Sequence, residues 1–326
     1  MLLNALCQSP VSEGMTPPEA VANTVELAKT CDSLGYHRFW VAEHHSDAAL
    51  ASGAPEVLVA HLATVTERIR VGAGGMLLPY HSPFHIAEQY NLLATLFPQR
   101  IDLGMGRGGG SERHAPQALG VRAAGPRAFD AMDQLLAYLG PGTTHRDYPD
   151  TFASPVPEQA AEPWVLGTSV SSARFAADRG LPYAFGGFLD PRGLSACLST
   201  YHQHFRPGIL ERPRVNIAWY VQAAETEAEA SHLTRTSEHY LVQSLIRGQN
   251  GPFRDPDTLD PSAYGPMERM ALAMYRRYAL IGTAEQVVDG LRALQRETLA
   301  DELTLVTIPF DHQARLRSYA MIAEAA

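Results

Sequence analysis

Two adjacent histidines, His44 and His45, follow an apolar run and stand beside Glu43. A neutral imidazole takes or gives a proton near neutral pH. In extended chain, neighbouring side chains point to opposite sides, so one of the pair faces any pocket at this strand end and the other faces away. The alternative is a hydrogen-bonded structural pair. Gly72, Gly74 and Gly75 interrupt a second apolar run, IRVGAGGMLL at 69–78. Glycine in such a run marks a bulge, a close approach of a ligand to backbone, or tight packing between strands. Arg107 sits among Gly104, Gly106, Gly108, Gly109 and Gly110, which set exposed N–H groups beside a charged fork. The spacing is not that of a dinucleotide fingerprint. Thr168, Ser169, Ser171 and Ser172 follow a further apolar run and open a helix. Hydroxyls and free amides at a helix start make an anion site or an ordinary N-cap. Arg107 and this helix start together suggest a phosphate-bearing cofactor, provided one rim holds both.

A rim of that kind follows from the order of elements. Apolar strand-like runs at 2–7, 37–45, 69–78, 100–110, 163–169, 181–188, 214–224 and 303–310 alternate with helical patterns. Thr16 before Pro17 and Pro18 reads as an N-cap with first-turn prolines, and Gly35 stops the helix. Eight strands, each followed by a helix, predict an α/β fold with a single (β/α)8 barrel over 1–326 and insertions in the βα loops. A doubly wound sheet fits less well, because the alternation never pauses at a domain boundary. In a barrel the strand C-termini gather the chemistry. Here those ends carry Glu43-His44-His45, Gly74-Gly75-Met76, Gly106-Arg107-Gly108 and Thr168-Ser169. Two segments fall outside the alternation, 140–162 and 248–266. The second, rich in Gly, Pro and Asp, reads either as a mobile lid or as a disordered insertion.

Composition removes several mechanisms. The chain has 326 residues, 45% hydrophobic and 19% charged, which excludes a mostly disordered polymer. Its net charge of −9, with no basic stripe, argues against nucleic acid. No apolar stretch reaches membrane-spanning length, and the N-terminus lacks a basic leader, so a cytoplasmic protein is expected. Cys7, Cys31 and Cys197 are odd in number and far apart, which predicts reduced thiols. Lys29 is the one lysine, and it lies in a helical pattern, which argues against Schiff-base and P-loop chemistry. His81 and His85 have i, i+4 spacing with Glu88 nearby, but Pro83 between them marks a helix start, so no metal site is expected. No GxSxG elbow is present.

The segments GYHRFWVAEHH (35–45), IRVGAGGMLLPYHSPFHIAEQ (69–89), FPQRIDLGMGRGGG (97–110), VLGTSVSSARFAADRGLPYAF (165–185) and IGTAEQVVDGLRAL (281–294), taken in order, resemble the bacterial luciferase-like family of flavin-dependent monooxygenases. The resemblance covers nearly the whole chain and extends through ADELTLVTIPFDHQARLRSYAMIAE (300–324). It implies a TIM-like barrel binding FMN at its C-terminal rim. His44 matches the family's active-site histidine near the flavin C4a. Gly74 and Gly75 match a pair joined by a non-prolyl cis peptide beneath the isoalloxazine ring. Arg107 matches a phosphate-binding arginine, Thr168, Ser169 and Ser172 match hydroxyls on the same phosphate, and Arg127 matches a second phosphate arginine.

The implied reaction is oxygenation of a small organic substrate by O2 through a flavin C4a-(hydro)peroxide, with reduced FMN supplied by a flavin reductase. Two alternatives keep the fold: hydride transfer with deazaflavin F420, and a flavin-binding protein without catalysis. The resemblance also implies a homodimer through barrel helices. Gly106 stands where the luciferase α-subunit has a reactive cysteine, so light emission is not implied. The arginine-rich C-terminal loop of alkanesulfonate monooxygenases is not evident in 248–266.

Overall fold

The computed structural model describes residues 1–108, 115–120, 127–142 and 145–326. Its frame is a closed ring of parallel strands. These are β1 (Leu2–Cys7), β2 (Arg38–Val41), β3 (Arg70–Leu77), β4 (Ile101–Gly106), β5 (Glu162–Leu166), β6 (Tyr183–Gly186), β7 (Val215–Ala223) and β9 (Glu302–Val306). Each of the first seven pairs with its sequence neighbour, and β9 pairs with both β7 and β1 to close the barrel. The eight-stranded (β/α)8 barrel expected from the alternation is therefore present.

One strand was not anticipated. The short β8 (Leu280–Gly282) pairs with the far end of β7, at Val221–Ala223, outside the ring.

The helices α1 (Pro17–Ser33), α2 (Pro55–Val65), α3 (Pro83–Leu96), α5 (Arg127–Leu136), α6 (Val170–Asp178), α7 (Leu194–His204), α8 (Glu227–Leu241), α10 (Ala284–Thr298) and α11 (His312–Ala325) surround the ring. A short helix, α4 (Ala115–Ala118), precedes α5, and a further helix, α9 (Pro266–Tyr278), follows α8. The first helix starts as its residues dictate: the Thr16 N–H donates to Glu19 Oε2 at 2.7 Å, and Gly35 takes φ +80° just past the end. Among the described residues, no helix is long and apolar enough to cross a membrane.

The barrel interior is built in two layers. At its base the fully buried Arg38 bonds Asp102 at 2.8 Å, Glu302 at 2.7 Å and Glu162 at 3.1 Å. Trp40 Nε1 and Arg70 Nε also donate to Asp102. The buried charges thus neutralise one another, as interior charges must. Above them lies an apolar layer that includes Leu6, Trp40, Trp164, Ala184, Tyr220 and Ile308. Trp40 and Trp164 meet edge to face, with centroids 5.5 Å apart.

Residues 248–266 are folded onto the rim, which disagrees with the reading of that segment as a disordered insertion. Phe253 is buried, its N–H donates to Val11 O, and its carbonyl accepts from Glu13 N. Short 3-10 turns at Pro256–Thr258 and Pro261–Ala263 follow.

Candidate active site

The strands run parallel, so the C-terminal ends of β2, β3, β4 and β5 share one rim. The strand β2 ends earlier than the apolar run suggests. Its last pair is Cys7 with Val41, and His44 N–H donates to Ser52 O instead of to a neighbouring strand. The polar residues Glu43, His44 and His45 therefore lie in the β2–α2 loop, at the mouth.

His44 is half-buried, and among the described residues no hydrogen bond is made to its imidazole. Burial pushes its pKa below the ordinary histidine value, and the carboxylates of Asp47 and Glu43 oppose this only in part. The ring is thus neutral at physiological pH. Asp47 also accepts from Tyr240 Oη at 3.0 Å, which ties α8 to the His44 loop.

His45 is engaged with Glu43, unlike His44. Its Nε2 lies 2.6 Å from Glu43 Oε1, and His81 Nε2 lies 2.7 Å from the same oxygen. Glu43 Oε2 accepts the Leu77 N–H at 2.6 Å. The donor atoms of Glu43, His45 and His81 all fall within 4.8 Å of one another, the composition of a divalent metal site. His85, paired with His81 by spacing, instead faces solvent beside Glu88.

The glycines of β3 combine two of the readings their positions allow. A Cβ on Gly72 would collide with the Asp102 backbone, and one on Gly75 would lie 2.6 Å from Gly104 O, so β3 packs tightly on β4. The pairing also slips between Ala73 and Met76, which marks a bulge. The Gly74–Gly75 peptide is cis.

Across the rim, Arg107 Nη2 donates to Ser169 Oγ at 2.6 Å, with its guanidinium 4.8 Å from the Phe129 ring. Ser169 is the N-cap of α6 and accepts from Ser172 N, and the hydroxyls of Ser171 and Ser172 lie 3.0 Å from its own. The cap and the arginine contact therefore coexist. Thr168 lies at the same turn, but its hydroxyl makes no hydrogen bond among the described residues. Arg127 opens α5, but its side chain lies outside the described residues, as do Gly109 and Gly110. A guanidinium, three hydroxyls and the free amides of a helix start are the donors that a phosphate monoester accepts from.

The model of the luciferase-like monooxygenase family matches residues 1–302. The chain belongs to that family. It is 38% identical to the Bacillus subtilis (strain 168) protein YwcH, across 99% of this chain and 98% of the relative. It is 36% identical to a luciferase-like monooxygenase of Escherichia coli (strain K12), across 96% of this chain and 93% of the relative. A crystal structure of apo-MsnO8, 37% identical, superposes with a TM-score of 0.91 over 99% of this chain and 97% of that one.

In this member of the luciferase-like monooxygenase family, the contacts that cross elements have no local signal in the sequence. Glu43 was visible at a strand end, and Glu-x-His spacing hinted at its contact with His45. Nothing local pointed to His81, 38 residues further on, or to the Asp47–Tyr240 contact.

Proposed function

We propose that the protein is an FMN-dependent monooxygenase. It would place one atom of O2 in a small organic substrate and release the other as water, using two electrons from reduced FMN delivered by a separate flavin reductase. The observation that carries this reading is the Arg107–Ser169 contact at the head of α6, on the rim that also holds His44 and the Gly74–Gly75 segment.

Arg107, Ser169 and Ser172 would hold the FMN phosphate with the first amides of α6, joined by Thr168 and Arg127. Gly74 and Gly75, packed against Trp40 and Gly104, would present backbone to a flat ring. When bound, the reduced flavin supplies the activation of oxygen. The neutral His44 ring would donate or accept one hydrogen bond or proton beside it. The apolar layer of Trp40, Trp164 and Tyr220 would keep bulk water from the reacting centre.

The test is rapid mixing of anaerobically reduced, FMN-loaded protein with oxygenated buffer. A transient absorbance from an oxygenated reduced flavin supports the reading. Immediate reoxidation despite confirmed FMN binding rejects it in favour of a binding protein, and selective affinity for F420 over FMN rejects it in favour of hydride transfer.

The same reading includes a homodimer. Val57 on α2 and Leu92 and Leu96 on α3 are exposed apolar side chains that a second copy would cover. Sedimentation of Leu92→Glu/Leu96→Glu is expected to give monomer where the unaltered chain gives dimer.

A further inference from the structure

Glu43 is fully buried, and three N–H groups converge on it. They come from three places in the chain: His45 in the β2–α2 loop, Leu77 at the end of β3, and His81 just before α3. Among the described residues no arginine or lysine reaches this carboxylate. Burial opposes its ionisation, yet its pKa is held below the usual carboxylate value, with His81 the strongest opposing partner. The two Nε2 separations are those of short, charge-assisted hydrogen bonds. Protons therefore fill the space between the rings and the oxygen, and each ring is fixed with its Nε2 as donor.

His44 lies between Glu43 and His45, and its own imidazole has no hydrogen bond among the described residues. Its place is thus set by its backbone bond to Ser52 O and by its two neighbours. Both neighbours belong to the same clasp, and the clasp is also bonded to the strand that carries Gly74 and Gly75.

We infer that Glu43, with His45 and His81, is a positioning unit that fixes His44 against the end of β3. This rests on the monooxygenase reading only for what His44 then does. The clasp itself is a property of the flavin-free chain.

The experiment compares the unaltered chain with Glu43→Gln, His81→Ala and His81→Gln. The glutamine at 43 keeps the size but cannot accept from three donors. The glutamine at 81 keeps an N–H near the place of the imidazole Nε2. Imidazole proton and nitrogen resonances are recorded on flavin-free protein labelled at histidine. Downfield Nε2-bound protons of His45 and His81 are expected in the unaltered chain, lost in Glu43→Gln. His81→Ala is expected to shift the His44 resonances, and His81→Gln to restore them, which keeps the test intact if Glu43→Gln does not fold. With FMN bound, the lifetime of the oxygenated reduced flavin is expected to fall about tenfold in His81→Ala, while FMN affinity stays within about threefold. Adding His81→Ala to His44→Ala is expected to give no further loss, because a residue that acts only through His44 has nothing left to position.

Unmoved resonances of His45 and His81 in Glu43→Gln would remove the clasp. A clasp that breaks while the His44 resonances stay fixed would remove its positioning role, whatever the cofactor proves to be. One divalent ion per chain, lost in Glu43→Gln, would make the cluster a metal centre instead.

Discussion

At the scale of the residue, Arg107 and His44 do opposite things, and their variants are expected to separate. Arg107 reaches the N-cap hydroxyl of α6 with a permanent charge. Removing one charge-assisted contact costs about 1.5–3 kcal/mol, so Arg107→Ala is expected to raise the FMN dissociation constant by about 10- to 150-fold, measured by quenching of flavin fluorescence. An unchanged constant would take Arg107 out of the phosphate site. The His44 imidazole carries no hydrogen bond among the described residues and is neutral. His44→Ala is expected to leave FMN affinity in place and to abolish coupled oxygenation, so that reduced flavin is consumed as hydrogen peroxide forms. Since burial lowers the His44 pKa, its neutral form persists as pH falls. The acid limb of the rate profile is expected below about 6.5, the ordinary histidine value, and absent from the variant. An acid limb retained in His44→Ala would belong to another group.

Elements translate those residues into place, and here the sequence was legible to different depths. The alternation of apolar strand and amphipathic helix exposed the barrel because each ring strand is buried on both faces, which leaves a short continuous apolar run. The exact ends were less legible. The strand β2 stops at Val41 because its pairing with β1 stops there, a contact that lies 34 residues away at Cys7. Residues 266–278, just after the segment rich in Gly, Pro and Asp, form α9, which the alternation did not anticipate. Met267, Met270, Ala271, Met274 and Tyr275 do fall at helical spacing, so a helix was legible there, although it buries chiefly Leu272 and leaves Met267 and Met270 exposed. The glycines of β3 and β4 could be read as ligand approach or as packing, and only the partner strand decides. A Cβ on Gly104 would collide with the Ala73 carbonyl, whereas one on Gly106 would meet Leu77 and Met76 at 3.4 Å. Gly104→Ala is therefore expected to lose about 1–3 kcal/mol by overpacking, and Gly106→Ala clearly less, measured by denaturant midpoints at constant slope. Equal losses would mean that β3 and β4 separate at no cost.

Across the whole molecule, the barrel is closed at its base by charge and open for chemistry at its top. The base network could not be read from spacing, because Arg38, Asp102, Glu162 and Glu302 come from four strands spread over most of the chain. Replacing those charges by well-packed apolar groups would not weaken the fold in principle, but removing one member alone leaves the others buried without a partner. Asp102→Asn is thus expected to cost about 3–5 kcal/mol. The same network sets the acid limit. Burial opposes ionisation of Asp102, but Arg38 and Arg70 outweigh it and hold its pKa below the ordinary 3.8. A carboxylate whose folded pKa is depressed stabilises the fold above its unfolded pKa, and that contribution is lost as pH falls through the folded value. The unaltered protein is therefore expected to keep this contribution down to about pH 4 and to lose it in the window below. The difference in stability between it and Asp102→Asn should be constant from neutral pH to about 4 and shrink beneath. A difference that instead shrinks between pH 7 and 5 would mean that Asp102 is not held below its ordinary value, and would take the acid limit away from the arginines at the base of the barrel.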